Sequence, residues 1–208
     1  MTTAITEKPG VDQKFYELGV GYYVAARASA MSMIATVTGN LYHHALEMLI
    51  KGHLTHNLSF AQLKKEVGHD LLKAWQRFKS LFPTDDLSAF DAEIEHLDLF
   101  EDIRYPDSSR RRGMILISWN VPLPELILGL KVQPFCLCVT RLDDLFDRLF
   151  VLCNIKPDSC LRCMSQHTLQ ILQYDNRHFA RWFSLKWFEE EAQKRVIHIV
   201  PARPPAAE

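Results

Sequence analysis

Hydrophobic positions recur at helical spacing near the start of the chain. One arc of a helical wheel collects seven of them: Phe15, Leu18, Tyr22, Ala26, Ala30, Met33 and Val37. This spacing predicts one long amphipathic helix over residues 13–38, ended by Gly39. Gly19 lies on the same arc, where a missing side chain lets a neighbouring helix approach closely. The next helix follows after a very short connection, so we expect the two to lie antiparallel.

Capping signals divide the following residues into shorter helices. Ser59 and Gln62 have the spacing of a capping box, which predicts a short helix that ends at Gly68. A further helix is predicted to run to Pro83, and another to begin at Asp85 or Asp86. The first half of the chain is therefore predicted to be a helical bundle.

The pattern changes over residues 110–139, which contain three prolines and the β-prone runs MILISW and FCLCV. We expect this segment to be a proline-rich extended insert that crosses the bundle. Its strand near Met114 to Trp119 could pair with the run VIHIV close to the end of the chain.

Helical periodicity returns at Thr140, the predicted N-cap of a helix whose apolar face includes Leu142 and Phe146. The opposite, polar face is predicted to carry Asp143, Asp144, Asp147 and Arg148. Ser159 is expected to cap a further helix that runs to about Tyr174. An aromatic-rich segment over residues 177–193 is the last predicted helix, and we favour packing or dimerisation for its aromatic stripe.

The predicted fold class is thus mostly α: an antiparallel bundle of about five to seven helices with a small β-containing insert. A length of 208 residues suits one domain. We expect a flexible N-terminus over residues 1–12, one helical domain over residues 13–195, and a β-prone end with a disordered tail over residues 196–208.

Charge composition restricts where nucleic acid could bind. Lys and Arg number 24 and Asp and Glu number 25, so binding must depend on a local basic patch. The candidate patch is a loop with four arginines: Arg104, Arg110, Arg111 and Arg112. No secretory signal and no run of apolar residues long enough to cross a membrane is apparent, so we expect a cytoplasmic protein.

Five cysteines allow two interpretations. Cys136, Cys138, Cys160 and Cys163 form a C-x-C and a C-x(2)-C, which together could supply four thiolates to zinc. Cys153 lies on an apolar helix face, and no glycine-containing knuckle accompanies the pairs. We therefore favour buried core cysteines and expect neither a metal nor a cofactor.

Four short motifs resemble the HEPN superfamily: YHHALEMLIKG at residues 42–52, GHDLL at 68–72, FEDIRYP at 100–106 and YDN at 174–176. The resemblance is best over residues 13–106, weaker over 140–176, and absent from the insert and the tail. It implies a helical bundle, frequent homodimerisation and a link with RNA or nucleotides, often in toxin–antitoxin or defence systems. Active members are metal-independent ribonucleases with an Arg-x(4–6)-His motif on a late helix, in a site shared across the dimer.

Arg162 and His167 form the one suitably placed Arg-x(4)-His. A histidine can exchange a proton with the RNA 2′-hydroxyl while a guanidinium holds the phosphate. On one regular helix, however, the two side chains would point about 140° apart. Two unrelated surface side chains are the alternative, and we favour it.

Four residues of the HEPN-like motifs are further candidates for binding. His69 and Asp70 stand where a new helix begins, so they could either cap it or contact a ligand. His43 and Glu47 are one helical turn apart on the expected solvent side of their helix, which suits a surface pair or a weak metal site. Helix capping and a surface pair are the favoured interpretations.

The sequence as a whole predicts an RNA- or nucleotide-associated binding protein without catalysis, and a homodimer. A metal-independent endoribonuclease that uses Arg162 and His167 is one alternative. A helical scaffold that binds only protein partners is another.

Overall fold

A computed structural model of the protein describes residues 11–104, 114–122, 129, 134–161 and 165–183. Its first two helices, α1 (Val11–Met31) and α2 (Ala35–Leu54), form an antiparallel hairpin. A Cβ atom at Gly19 would lie 2.6 Å from Cδ2 of Leu49, and one at Gly52 would lie 2.7 Å from Cε1 of Tyr16. The close approach expected at Gly19 is therefore confirmed. The helix already begins at Val11, inside the segment predicted to be flexible, and residues 1–10 lie outside the described part.

The prediction of one helix over residues 13–38 is wrong. The chain turns after Met31, where Met33 adopts the left-handed backbone conformation with a φ of 56°. Gly39 does not end a helix but lies inside α2, where a Cβ atom would stand 2.0 Å from Cδ1 of Phe100. The absent side chain at Gly39 makes room for an aromatic ring instead of terminating the helix.

The predicted inner arc of α1 is only partly correct. Ala26 and Ala30 are buried, but four of the seven predicted inward residues are exposed: Leu18, Tyr22, Met33 and Val37. The buried face is instead carried by Tyr16, Val20, Tyr23 and Arg27. A search for apolar residues at helical spacing does not find this face, because it includes a charged residue.

The capping predictions at Ser59 and Gly68 are confirmed, whereas the predicted helix start at Asp85 or Asp86 is wrong, because the next turn begins at Ser88 with Leu87 at its N-cap. Ser59 and Gln62 form a capping box at the start of α3 (Phe60–Glu66), and Gly68 follows that helix with a φ of 59°. Asp70 caps α4 (Leu71–Lys79), where its carboxylate accepts a hydrogen bond of 2.9 Å from the amide of Lys73. Helix α4 ends before the predicted limit at Pro83. A short 3₁₀ turn (Ser88–Phe90), helix α5 (Asp91–Leu99) and a second 3₁₀ turn (Phe100–Arg104) follow.

The insert contains a two-stranded parallel sheet, formed by β1 (Ile115–Ser118) and β2 (Phe135–Cys138). Ile115 lies opposite Phe135, and Ser118 lies opposite Cys138. Strand β1 thus pairs with the FCLCV run, whereas VIHIV, the partner suggested by the sequence, lies outside the described residues. All four residues of β2 are buried, which explains why both faces of this strand are apolar.

Helix α6 (Val139–Leu152) begins directly after β2, so Thr140 is not its N-cap. The Thr140 hydroxyl instead donates a hydrogen bond of 2.5 Å to the carbonyl of Trp119, which joins the ends of the two strands. The predicted apolar face is buried, including Leu142 and Phe146. The predicted polar face is not solvent-exposed throughout, because Asp143 and Asp147 are buried.

The chain after α6 forms short helices: α7 (Pro157–Cys160), α8 (Gln166–Gln173) and α9 (Phe179–Trp182). The single helix predicted from Ser159 to Tyr174 is therefore wrong. Helix α8 has its own N-cap at Ser165, whose hydroxyl accepts a hydrogen bond of 3.1 Å from the amide of Thr168.

The aromatic stripe packs into the core as far as the structure describes it. Phe179, Trp182 and Phe183 are buried, and Trp182 packs edge-on against Phe150 of α6 with ring centroids 5.1 Å apart. Residues 184–208, which include the rest of the stripe and the predicted tail, lie outside the described part.

The described residues confirm a mostly α fold with a small β insert. Six of their helices span eight residues or more, in agreement with the predicted five to seven: α1, α2, α4, α5, α6 and α8. None of the helices in the described ranges has the length and apolar character needed to cross a membrane.

Candidate binding cleft

Two predicted site residues on α2 are buried and not on the solvent side. His43 is 1% exposed and Glu47 is 2% exposed, because α2 packs against α1 on one side and against α4 and α5 on another. The His43 Nδ1 atom lies 3.1 Å from the carbonyl of Leu97, and burial lowers the pKa of this histidine. His43 therefore joins α2 to α5 as a neutral side chain near neutral pH.

The Glu47 carboxylate contacts three polar side chains around it. Its Oε1 atom lies 2.5 Å from Nζ of Lys51 and 2.9 Å from Nδ1 of His69, and Oε2 lies 3.5 Å from Nδ1 of His44. Burial alone would raise the pKa of Glu47, but hydrogen bonds from His44, Lys51 and His69 outweigh it and lower the pKa to about 2. We call these four residues the Glu47 cluster.

The Glu47 cluster connects two of the HEPN-like motifs, since His69 precedes α4 and Glu47 lies on α2. Asp70 caps α4, as the favoured interpretation predicted, whereas the exposed His69 does not cap the helix but contacts Glu47. The carboxylate is already surrounded by donors, and no group of three or more His, Cys, Asp or Glu side chains that could hold a metal occurs among the described residues. The cluster therefore holds α2 against the start of α4.

The structure does not test the proposed ribonuclease motif, because only one of its two residues is described. His167 is exposed on the first turn of α8, and Arg162 lies outside the described residues. The angle of about 140° between the two side chains assumed that both lie on one regular helix. Helix α8 begins only at Gln166, so that assumption does not hold.

The basic loop falls mostly outside the described part of the chain. Arg104 ends the second 3₁₀ turn, whereas Arg110, Arg111 and Arg112 are not among the described residues. The structure therefore leaves this patch as a prediction from the sequence.

The described cysteines fit the core interpretation. Cys136, Cys138 and Cys153 are buried with free thiols, and Cys160 is half-buried. Burial raises the pKa of Cys136 to about 11 and that of Cys153 to about 12. Cys163 lies outside the described residues.

A different site emerges where the two parallel strands end. A cleft of about 400 Å³ opens beyond the carboxyl ends of β1 and β2, beside the first turns of α6 and the loop between α8 and α9. In open parallel sheets, ligands bind beyond the carboxyl ends of the strands. The cleft is lined by Asn120, Pro122, Cys138, Thr140, Arg141, Asp143, Asp144, Asp175 and Arg177.

The inner wall of this cleft is a buried ion pair. The Arg27 guanidinium and the Asp143 carboxylate form a salt bridge with side-chain exposures of 0% and 2%, and the Tyr23 hydroxyl donates a hydrogen bond of 2.5 Å to Asp143 Oδ1. Arg27 also donates to the carbonyls of Ile171 and Tyr174. Burial raises the pKa of Asp143, although Arg27 and Tyr23 oppose this effect. The ion pair thus ties α1, α6 and the end of α8 together behind the cleft.

Cationic side chains converge on Asp144 at the mouth of the cleft. Its Oδ1 atom lies 2.6 Å from Nη2 of Arg177 and 2.7 Å from Nε2 of His178, while Oδ2 lies 4.0 Å from Nη1 of Arg141. Nε of Arg141 also donates a hydrogen bond of 3.0 Å to Oε1 of Glu93. The side chain of Arg177 is 74% exposed. Two guanidinium groups therefore stand within reach of one anionic position near the N-terminal end of α6.

Aromatic and amide groups complete the surroundings. Trp119 and Tyr174 meet edge to face with ring centroids 5.0 Å apart, and the Arg27 guanidinium lies 5.4 Å from the centroid of Trp119. Asn120 Nδ2 donates a hydrogen bond of 2.9 Å to the carboxylate of Asp175. Tyr174 is 52% exposed and precedes Asp175, which lines the cleft, but Tyr174 itself is not a lining residue.

The hydrophobic pattern of the sequence does not reveal this cleft, because the residues around it come from distant parts of the chain. Arg27 and Asp143 are 116 residues apart, and helical periodicity places Asp143 on a polar helix face without indicating its partner. A signal was nevertheless present. Arg27 stands among small residues, one helical turn after Tyr23, so it marks a charge on an otherwise apolar face.

No protein-family model, curated protein or solved structure matches this chain. The resemblance to the HEPN superfamily consequently stays a prediction from four short motifs.

Proposed function

We propose that this chain binds a nucleotide, free or as part of RNA, in the cleft beyond β1 and β2, and that it does so without catalysis. The convergence of Arg141 and Arg177 on the Asp144 position carries this proposal. Guanidinium groups bind phosphate oxygens as they bind carboxylate oxygens, through charge-assisted hydrogen bonds. A phosphate in the cleft would compete with Asp144 for the exposed Arg177.

The size and the other groups of the cleft suit the rest of a nucleotide. A volume of about 400 Å³ lies in the range of small-molecule sites. Asn120 and Asp175, which line the cleft, offer both donors and acceptors to the edge of a base. The helix dipole at the start of α6 favours an anion there.

The arrangement favours binding over proton transfer. Asp143 is held by Arg27 and Tyr23, and Asp144 by Arg177 and His178. Donors of the protein itself thus already engage each of these carboxylates, so neither is held free to act as a general base toward a ligand. The homodimer and the toxin–antitoxin or defence context remain predictions from the resemblance.

Isothermal titration with AMP and with a short RNA oligonucleotide tests the proposal. We expect Arg177→Ala to weaken AMP binding about tenfold, because it removes one charge-assisted contact worth roughly 1.5 kcal/mol. The matched control is Arg77→Ala, which removes an exposed arginine from α4, away from the cleft. Absence of binding of either probe at about 50 mM salt, or equal losses in both variants, would contradict the proposal.

A further inference from the structure

Two exposed polar side chains in the wall of the cleft are joined to each other. Asn120 and Asp175 both line the cleft, and both are exposed to solvent. Nδ2 of Asn120 donates a hydrogen bond of 2.9 Å to Oδ2 of Asp175. Because both residues are exposed and line the cleft, a ligand that enters it can contact both side chains.

The turn that carries Asp175 is anchored to the core on both sides of this residue. The carbonyl of Tyr174, which precedes it, accepts a hydrogen bond from the buried Arg27. Asn176, which follows it, is 8% exposed, and its side-chain amide donates a hydrogen bond of 3.4 Å to the hydroxyl of Tyr23. Asp175 itself has a φ of 47°, a left-handed conformation that aspartate adopts more readily than most residues. The carboxylate is therefore presented to the cleft from a fixed backbone, which lowers the cost of ordering it around a ligand.

The joined side chains leave three hydrogen-bonding groups for a ligand. Each carboxylate oxygen has two lone pairs, so both oxygens of Asp175 can still accept a hydrogen bond, although Oδ2 already accepts one from Asn120. The Asn120 amide has a second N–H that it can donate. Two acceptors thus lie beside one donor.

We infer that Asn120 and Asp175 make the cleft selective for guanine nucleotides. This inference rests on the proposed nucleotide binding. The Watson–Crick edge of guanine presents two adjacent donors, N1–H and N2–H, beside the acceptor O6, which is the complement of two acceptors beside one donor. The same edge of adenine has an unprotonated N1, whose lone pair would face the Asp175 carboxylate instead of donating to it.

The pyrimidine bases match these groups less well. Uracil has a single donor between two carbonyl oxygens, and cytosine has a single donor group beside two acceptors, so neither supplies two adjacent donors to one carboxylate. Arg141 and Arg177, which line the same cleft, remain available for the phosphate. The base and the phosphate of a guanine nucleotide therefore each meet groups of complementary chemistry.

Isothermal titration of the full chain with GMP, IMP and AMP tests the inference. IMP retains the N1–H and O6 of guanine but lacks the 2-amino group. We expect GMP to bind about tenfold more tightly than AMP, with IMP between them, because a two-point contact with a base edge discriminates by about that factor.

Three variants of exposed residues show which groups are responsible. Asp175→Asn should reduce the ratio of GMP to AMP affinity to about threefold or less, because the amide replaces one acceptor by a donor. Arg177→Ala should weaken both nucleotides by a similar factor, because both carry the same phosphate. The matched control is Asp102→Asn, which alters an exposed aspartate that does not line the cleft and should leave all three affinities unchanged.

The outcomes separate guanine selection from nucleotide binding. Equal affinities of the wild-type protein for GMP and AMP, tighter binding of AMP, or equal affinities for GMP and IMP would overturn guanine selection and leave nucleotide binding intact. An unchanged ratio in Asp175→Asn would overturn the role of Asp175. Absence of binding of all three nucleotides would overturn nucleotide binding itself.

Discussion

Arg27 and Asp143 are the residues on which the interior of the molecule most depends. Both are fully buried and each satisfies the other, while Tyr23, Ile171 and Tyr174 accept or donate the remaining hydrogen bonds. A buried ion pair contributes little net stability compared with apolar packing, but the loss of one partner leaves an uncompensated charge. The pair therefore fixes how α1, α6 and the end of α8 fit together.

Replacing one member of this pair should be far more harmful than replacing an exposed one. We expect Arg27→Met to lower the free energy of unfolding by about 3–5 kcal/mol in urea denaturation. Arg148→Met, which removes a partly exposed pair with Asp85, should cost about 1 kcal/mol or less. The double variant Arg27→Met with Asp143→Leu should recover most of the loss. Equal effects of the two single variants would show that Arg27 is not buried as described.

Glu47 gives the stability of the protein a specific dependence on acid. Its pKa falls from an ordinary value of 4.5 to about 2 in the folded chain, so the folded state favours the charged form. The resulting stabilisation of about 2–3 kcal/mol is fully present above the unfolded pKa and is lost as the pH falls toward the folded pKa.

Urea denaturation of the wild type and of Glu47→Gln between pH 7 and pH 3 measures this effect. We expect a gap of about 2–3 kcal/mol at pH 7 that narrows steadily below about pH 4.5. Glu66→Gln, which alters an exposed carboxylate at the end of α3, should show almost no gap at any pH. A gap for Glu47→Gln that stays constant down to pH 3 would contradict the assigned pKa.

At the scale of elements, glycine decides how closely the helices pack. Gly39 in α2 lies against the ring of Phe100, whereas Gly21 in α1 has no atom within 4 Å of the position that a Cβ would occupy. The two glycines are thus a natural matched pair, one required by a close contact and one free to change.

We expect opposite effects of alanine at these two positions. Gly39→Ala should destabilise the protein by about 1–3 kcal/mol, because Phe100 must leave its rotamer or the helices must separate. Gly21→Ala should stabilise it by about 0.5–1 kcal/mol through helix propensity. Thermal denaturation of both variants checks this, and a stabilising Gly39→Ala would refute the contact with Phe100.

The elements also show what can be predicted from sequence. The capping box at Ser59 and the stop at Gly68 were predictable, since they depend on a few consecutive residues. The turn at Met33 was not, because a methionine in the left-handed conformation has no local signature. The burial of Asp143 was not predictable either, since its partner lies on another helix.

At the scale of the whole molecule, the candidate site was less predictable than the fold. Hydrophobic periodicity predicts helices one at a time, which is enough for a mostly α bundle. The cleft instead depends on tertiary contacts between the strands, α6 and the loop after α8. Helical periodicity contains no information about such contacts. The four HEPN-like motifs predicted candidate residues that the structure uses, in part, to hold helices together: Glu47, His69 and Asp70.

A non-catalytic protein should leave RNA intact. We expect the purified chain to produce no cleavage of RNA in the presence of EDTA, and His167→Ala to behave identically, because His167 is exposed on a helix that does not include Arg162. Gel analysis after prolonged incubation measures this. Cleavage by the wild type that disappears in His167→Ala would instead support the endoribonuclease alternative.

We propose that the ligand site of this protein lies beyond the carboxyl ends of β1 and β2. Backbone amide chemical shifts in solution, recorded while AMP is added, test it most directly. We expect the largest shifts at residues 119–122, 138–144 and 174–178, which lie around the cleft. Saturable shifts centred instead on the Glu47 cluster, or no shifts at all at millimolar AMP, would contradict it.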